Sequence, residues 1–141
     1  TSGTTNMQPF PAQRPVEGVG SVGTVTIILP TTTTLTVTVV NTGSGNKYYV
    51  DGVQQATLTL NEGSTYKFDQ SAGTNGGHPL RLSTTSDGTH SGGSEYTTGV
   101  TTNGIPGNAG AYTQIVVATG APTLYYYCTI HSGMGGQANT P

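Results

Sequence analysis

Apolar and polar positions alternate along most of the chain from residue 24 onward, and a period of two predicts strands with one buried face. Thr24 to Leu29 (TVTIIL) and Leu35 to Val40 (LTVTVV) each set apolar residues against threonines, with Pro30 and a run of threonines between them. Lys47 to Val50 leads into the turn dipeptide Asp51-Gly52, and Ala56 to Leu60 alternates again. Thr65 to Gln70 (TYKFDQ) places Tyr66 and Phe68 on one face, and Pro79 to Ser83 (PLRLS) places Leu80 and Leu82 together. Tyr112 to Val117 (YTQIVV) and Thr123 to Ile130 (TLYYYCTI) complete a set of about eight short strands punctuated by Gly and Pro, the pattern of a β-sandwich or barrel. No stretch has a helical period. The inward face is expected to include Ile27, Val37, Val39, Leu58, Leu60, Phe68, Leu80, Leu82, Ile115, Val117 and Tyr126.

Two segments break the alternation. Residues 1–23 hold Pro9, Pro11 and Pro15 and show no period, so an extended arm or linker is expected there, with residues 24–141 forming the domain. Such an arm has few apolar anchors beyond Met7, Phe10 and Val16, so if ordered it has to dock on its own sheet or on a neighbouring subunit. Residues 84–111 are rich in Gly and poor in apolar side chains. A loop of that length in a compact domain is expected to hide a short strand or turn, or to serve a function.

Composition agrees with an all-β chain. The sequence has 141 residues, 22 of them Gly and 28 Thr, and both types disfavour helix while Thr favours strands. Only 7% of residues are charged and the net charge is −2, which excludes a basic nucleic-acid surface and the highly charged kind of disorder. No apolar run is long enough for a membrane helix. A single Cys cannot form an internal disulfide, so the core alone must hold the fold.

The chemistry concentrates near the C-terminus. Cys128, His131 and Met134 stand at C-x2-H-x2-M directly after the aromatic run Tyr125-Tyr126-Tyr127. Each residue alone is ordinary: a strand-end Cys is a small hydrophobe, a loop His is surface, a Met fills a core. Together a thiolate, an imidazole and a thioether form a soft donor set, and two His with one Cys and a weak axial Met define a blue-copper centre. His78, in the Gly76-Gly77-His78-Pro79 stretch where a loop enters a strand, is the expected second imidazole. Glycines at 133, 135 and 136 would let so short a loop turn tightly. His90, in a Gly- and Ser-rich loop, has no other ligand type beside it and is left out of the site.

The segment YYYCTIHSGM resembles the ligand loop of the cupredoxins, with the short His–Met gap of amicyanin. The wider wording (KYYVDGVQQATLTLNEG, TYKFDQS, GHPLRLSTTSDGTH, YTQIVV) is similar to cupredoxin-like domains of marine cyanophages and related ocean viruses, over roughly residues 46–139. The resemblance implies a Greek-key sandwich binding one copper ion, cycling between Cu(I) and Cu(II), through His78, Cys128 and His131 in a trigonal arrangement with Met134 weakly axial. Their donor atoms are expected within about 4 Å of one another. The chain departs from the family at Pro79, where most members have an Asn whose N–H reaches the Cys sulfur, and at Ile130, where many have Pro.

Two functions follow as expectations. One is electron transfer to a redox partner protein through the exposed edge of His131. The other is a virion structural role, as a capsid-decoration or tail-associated subunit that contacts its neighbours or further copies through the arm, with copper structural or absent. Three His in all leave none for a second metal centre, so no enzyme is expected. Neither a nucleic acid nor a membrane is an expected partner. The virion reading implies a location in the particle, and the redox reading an extracytoplasmic or soluble one.

Overall fold

The structure, a computed structural model, describes residues 23–27 and 29–141; the arm expected over residues 1–23 lies, apart from Gly23, outside them. The described residues form ten strands: β1 (Thr32–Thr42), β2 (Gly45–Val50), β3 (Val53–Gln54), β4 (Leu58–Thr59), β5 (Thr65–Asp69), β6 (Leu80–Ser83), β7 (Val100–Asn103), β8 (Tyr112–Val116), β9 (Leu124–Cys128) and β10 (Gly136–Asn139). The helical content of the described residues is two short 3-10 turns, Gly73–Asn75 and Gly88–Ser91. The chain is an all-β sandwich.

One sheet has six strands in the order β3-β2-β1-β5-β8-β7, and the other has four in the order β4-β10-β9-β6. Both are mixed. β1 runs parallel to β5 and β10 parallel to β4, while the remaining pairs are antiparallel. Between the sheets lie Val37, Val39, Leu60, Phe68, Leu80, Leu82, Ile115, Val117 and Tyr126, all buried as the alternation requires. Leu58, expected among them, is only partly buried at the rim of this core. The ring of Tyr126 fills the centre, 6.3 Å from the Tyr48 ring and 6.0 Å from that of Phe68.

The strand expected at Thr24 to Leu29 does not form among its described residues, and Ile27 is 73% exposed rather than inward. Among the described residues the chain meets the sheet at Thr31, whose carbonyl accepts the Thr65 N–H at 2.7 Å, and β1, which follows, is flanked by β2 and β5. Alternation shows that a segment could bury one face; it does not supply a partner.

Three strands escaped the sequence pattern. β3 has only two residues, and β7 and β10 contribute few apolar side chains. The long Gly-rich stretch does hide structure, since β7 and the Gly88–Ser91 turn both lie within it.

Candidate metal centre

Strand register brings the first two site residues together. β9 pairs antiparallel with β6, with Cys128 opposite Leu80, and the ladder continues one step further as the Thr129 N–H donates to the Pro79 carbonyl at 3.1 Å. In an antiparallel pair, residues preceding Leu80 lie beside residues following Cys128. His78 therefore reaches the sulfur although it is 50 residues away in sequence.

The next two come from a tight hairpin. β10 turns back along β9 with Gly136 opposite Tyr126, so residues 129–135 close over the end of β9. Gly133 takes φ 74°, a conformation that suits glycine. Gly135 is needed for a different reason: a Cβ there would fall 2.6 Å from the Tyr126 carbonyl carbon. The loop is fastened from below by Tyr48, whose N–H donates to Met134 O at 2.9 Å, and from the side by Lys47, whose ammonium donates to Gly133 O at 2.7 Å.

The result is a compact donor cluster. Nδ1 of His78 and Nδ1 of His131 each lie 3.8 Å from Cys128 Sγ, and the three donor atoms all fall within 4.8 Å of one another. The two sulfur–nitrogen distances meet the expected ~4 Å, while the set as a whole is bounded at 4.8 Å. Cys128 and Met134 are fully buried in one core cluster, His78 is nearly so, and His131 stands at the surface. His131 and Met134 line the same surface depression, alongside Lys47 and Ile130.

A metal fits the two sulfur–nitrogen edges. Bonds of ~2.0–2.1 Å to imidazole and ~2.3 Å to thiolate span a 3.8 Å nitrogen–sulfur edge at an angle of about 120°. Among the described residues this is the one group of three or more His, Cys, Asp or Glu close enough to hold an ion. His78 is held in its ligating form: burial first, and the charge of His131 second, push its pKa below the ordinary 6.5, so the ring is neutral near pH 7.

Sequence reasoning missed the polar network that holds His78. The His78 carbonyl accepts from Tyr48 Oη at 2.6 Å and from Gln70 Nε2 at 2.8 Å. Gln70 also donates to Asn75 Oδ1 at 3.0 Å and accepts the Leu80 N–H at 2.9 Å, bracketing Pro79. Asn75 accepts the His78 N–H on its own carbonyl at 2.9 Å and donates through Nδ2 to Val37 O at 2.8 Å, which ties the His78 loop to β1. Burial, then the neighbouring Cys128, push the Tyr48 pKa far up, so its hydroxyl stays a donor. A buried Gln, Asn and Tyr spread over thirty residues carry no local sequence signal. His90 stands outside the donor cluster, yet its Nε2 lies 2.7 Å from the Cys128 carbonyl.

No family model matches the chain, and a search of curated proteins gives no match.

Proposed function

We propose that the protein is a type-1 copper-binding, cupredoxin-like electron carrier. One observation carries the reading: a buried cysteine sulfur with two imidazole nitrogens at 3.8 Å, at one end of an all-β sandwich, with a buried thioether three residues beyond the second His. His78, Cys128 and His131 would hold the ion and Met134 would complete a soft set, and that set favours copper over harder metals. Copper supplies a one-electron couple.

The residues of the chain supply the rest. The Gln70–Asn75–Tyr48 network fixes the His78 backbone, and β9 fixes Cys128, so neither ligand has to move far between redox states. Burial of Cys128 and Met134 keeps water from the sulfur atoms. His131 brings one ring edge to the surface next to Ile130, which is 58% exposed, and so offers an apolar contact to a partner redox protein. The reading assigns no catalysis.

Cu(II) added to the metal-free protein should give an intense visible thiolate-to-copper band, lost in Cys128→Ser. A colourless mixture would overturn the assignment.

A second reading, a structural subunit of a virion or other assembly, is favoured by Val25, Ile27 and Leu29. These alternate residues are 74, 73 and 70% exposed, a spacing that one face of a strand would bury against a neighbour.

A further inference from the structure

The long Gly-rich insertion has a feature that neither the donor set nor the sandwich requires. Within it, residues 87–91 touch the ligand hairpin at both of its ends. Asp87 Oδ1 accepts the Gly133 N–H at 2.9 Å, and His90 Nε2 lies 2.7 Å from the Cys128 carbonyl. A carbonyl only accepts, so Nε2 carries the hydrogen. The ligand hairpin is thus held at Cys128, itself a donor, and at Gly133, the residue before Met134.

The Cys128 carbonyl needs such a partner. The Thr129 N–H bonds to Pro79, just before β6, so by the alternation of an antiparallel ladder the Cys128 carbonyl points to the other side of β9. There β10 extends only as far as Gly136, opposite Tyr126, and no strand faces Cys128. His90 takes the vacant place in the ladder, with its ring edge-on to Tyr127 at a centroid distance of 6.3 Å.

The turn is built to stay there. Asp87 holds φ 61°, a left-handed conformation uncommon for a residue with a side chain, and this conformation accompanies its contact with Gly133. Gly88 lies flush on the Tyr127 ring, where a Cβ would come within 2.6 Å of the ring carbons. Ser83 at the end of β6 anchors the base: its hydroxyl donates to Ser94 O at 2.7 Å and accepts the Thr85 N–H at 3.1 Å.

We infer that Asp87 and His90 are positioning residues of the metal centre, a clamp that sets the ligand hairpin in its binding geometry before metal arrives. The inference rests on the metal-binding reading for its purpose but not for its first test. Without the clamp, Thr129 to Ser132 would sample open conformations, and the ion would both enter and leave through them.

The test compares Asp87→Gly and His90→Ala, singly and together, with Asp87→Asn and His90→Gln. Glycine keeps the left-handed backbone and removes only the acceptor, whereas Asn and Gln keep a polar atom at similar reach. In the metal-free protein, amide exchange read by NMR should rise about tenfold at Gly133 in Asp87→Gly, the effect of one lost hydrogen bond, and spread through residues 129–134 in the double variant. Amides in β5 and β8 should keep their protection, which separates a loosened hairpin from a loosened fold. In the copper-loaded protein, transfer of the ion to a chelator should accelerate about tenfold or more in the double variant, with a shifted visible band. Asp87→Asn and His90→Gln should restore both readouts. Unchanged exchange at Gly133 and unchanged copper release in the double variant would overturn the clamp. A native protein that takes up no copper yet shows the exchange pattern would remove the metal reading and leave the clamp standing.

Discussion

Replacing Gln70 by Leu should destabilise the protein far more than its single side chain suggests, because three partners depend on it. Gln70 is 1% exposed and satisfies His78 O, Asn75 Oδ1 and the Leu80 N–H. In Gln70→Leu the His78 carbonyl keeps its second donor, Tyr48. The Leu80 N–H and Asn75 Oδ1 lose the only partners they have here. A buried polar group left without a partner costs about 1–3 kcal/mol, so the two together cost about 2–6 kcal/mol. The extra apolar burial of Leu offsets about 1 kcal/mol. The net loss of about 3 kcal/mol is a large share of the ~5–15 kcal/mol that holds a domain.

Tyr48→Phe is the control. It removes one hydrogen bond to the same carbonyl, leaves Gln70 in place and opens no cavity, so about 1 kcal/mol should be lost. Urea unfolding of the metal-free proteins reads both values, and a constant slope would show that only stability changed. If Tyr48→Phe cost as much as Gln70→Leu, the three-way role assigned to Gln70 would be wrong. Copper affinity should fall in the same order, because the network acts on the His78 backbone and not on the imidazole.

Other substitutions and conditions reach different parts of the structure. Gly135→Ala should displace the ligand hairpin, since the new Cβ would meet Tyr126 backbone that cannot give way without bending β9; loss of the visible copper band with most of the sandwich intact by circular dichroism is the expected result, and a native band would refute it. The metal-free protein should lose stability as the pH drops below about 6.5. Burial and His131 hold the folded pKa of His78 under that value, so the unfolded chain takes the proton first, and His78→Asn should flatten the thermal-unfolding profile in that window. If Val25, Ile27 and Leu29 meet another subunit, light scattering should find the native chain associated and the triple Thr variant dissociated; a monomeric native chain would sink the structural reading.

The sequence was most legible where the pattern was local. TYKFDQ, PLRLS and TLYYYCTI became β5, β6 and β9 with ends one or two residues shorter, β9 closing at Cys128 and not at Ile130. The C-x2-H-x2-M spacing pointed to the hairpin donors, and the one unpaired His in a strand-entry loop pointed to His78. Non-local facts were not legible. Nothing in TVTIIL reveals whether a strand lies beside it, and among its described residues none does. GQAN carries one inward residue, Ala138, so β10 shows no alternation, although it shapes the ligand hairpin. His90 looked idle because its partner is a backbone carbonyl 38 residues away, and backbone groups leave no mark on a sequence.

The register that seats His78 beside Cys128 also sets a clock for the emerging chain. At roughly 5–20 residues per second, the 50 residues between them take about 3–10 s to synthesise. During that interval β6 lacks its neighbour in the sheet, β9, and has only the short bridge from Ser83 to Glu95. The four-stranded sheet can close only after β10 has emerged, so the thiol is presented to solvent late and sealed in soon after. A half-made chain offers one imidazole and no sulfur at this position, too little to capture a soft ion out of turn. On the copper reading, the donor set is complete only once the ligand hairpin has formed, and a chain stalled before residue 124 should be inert toward copper.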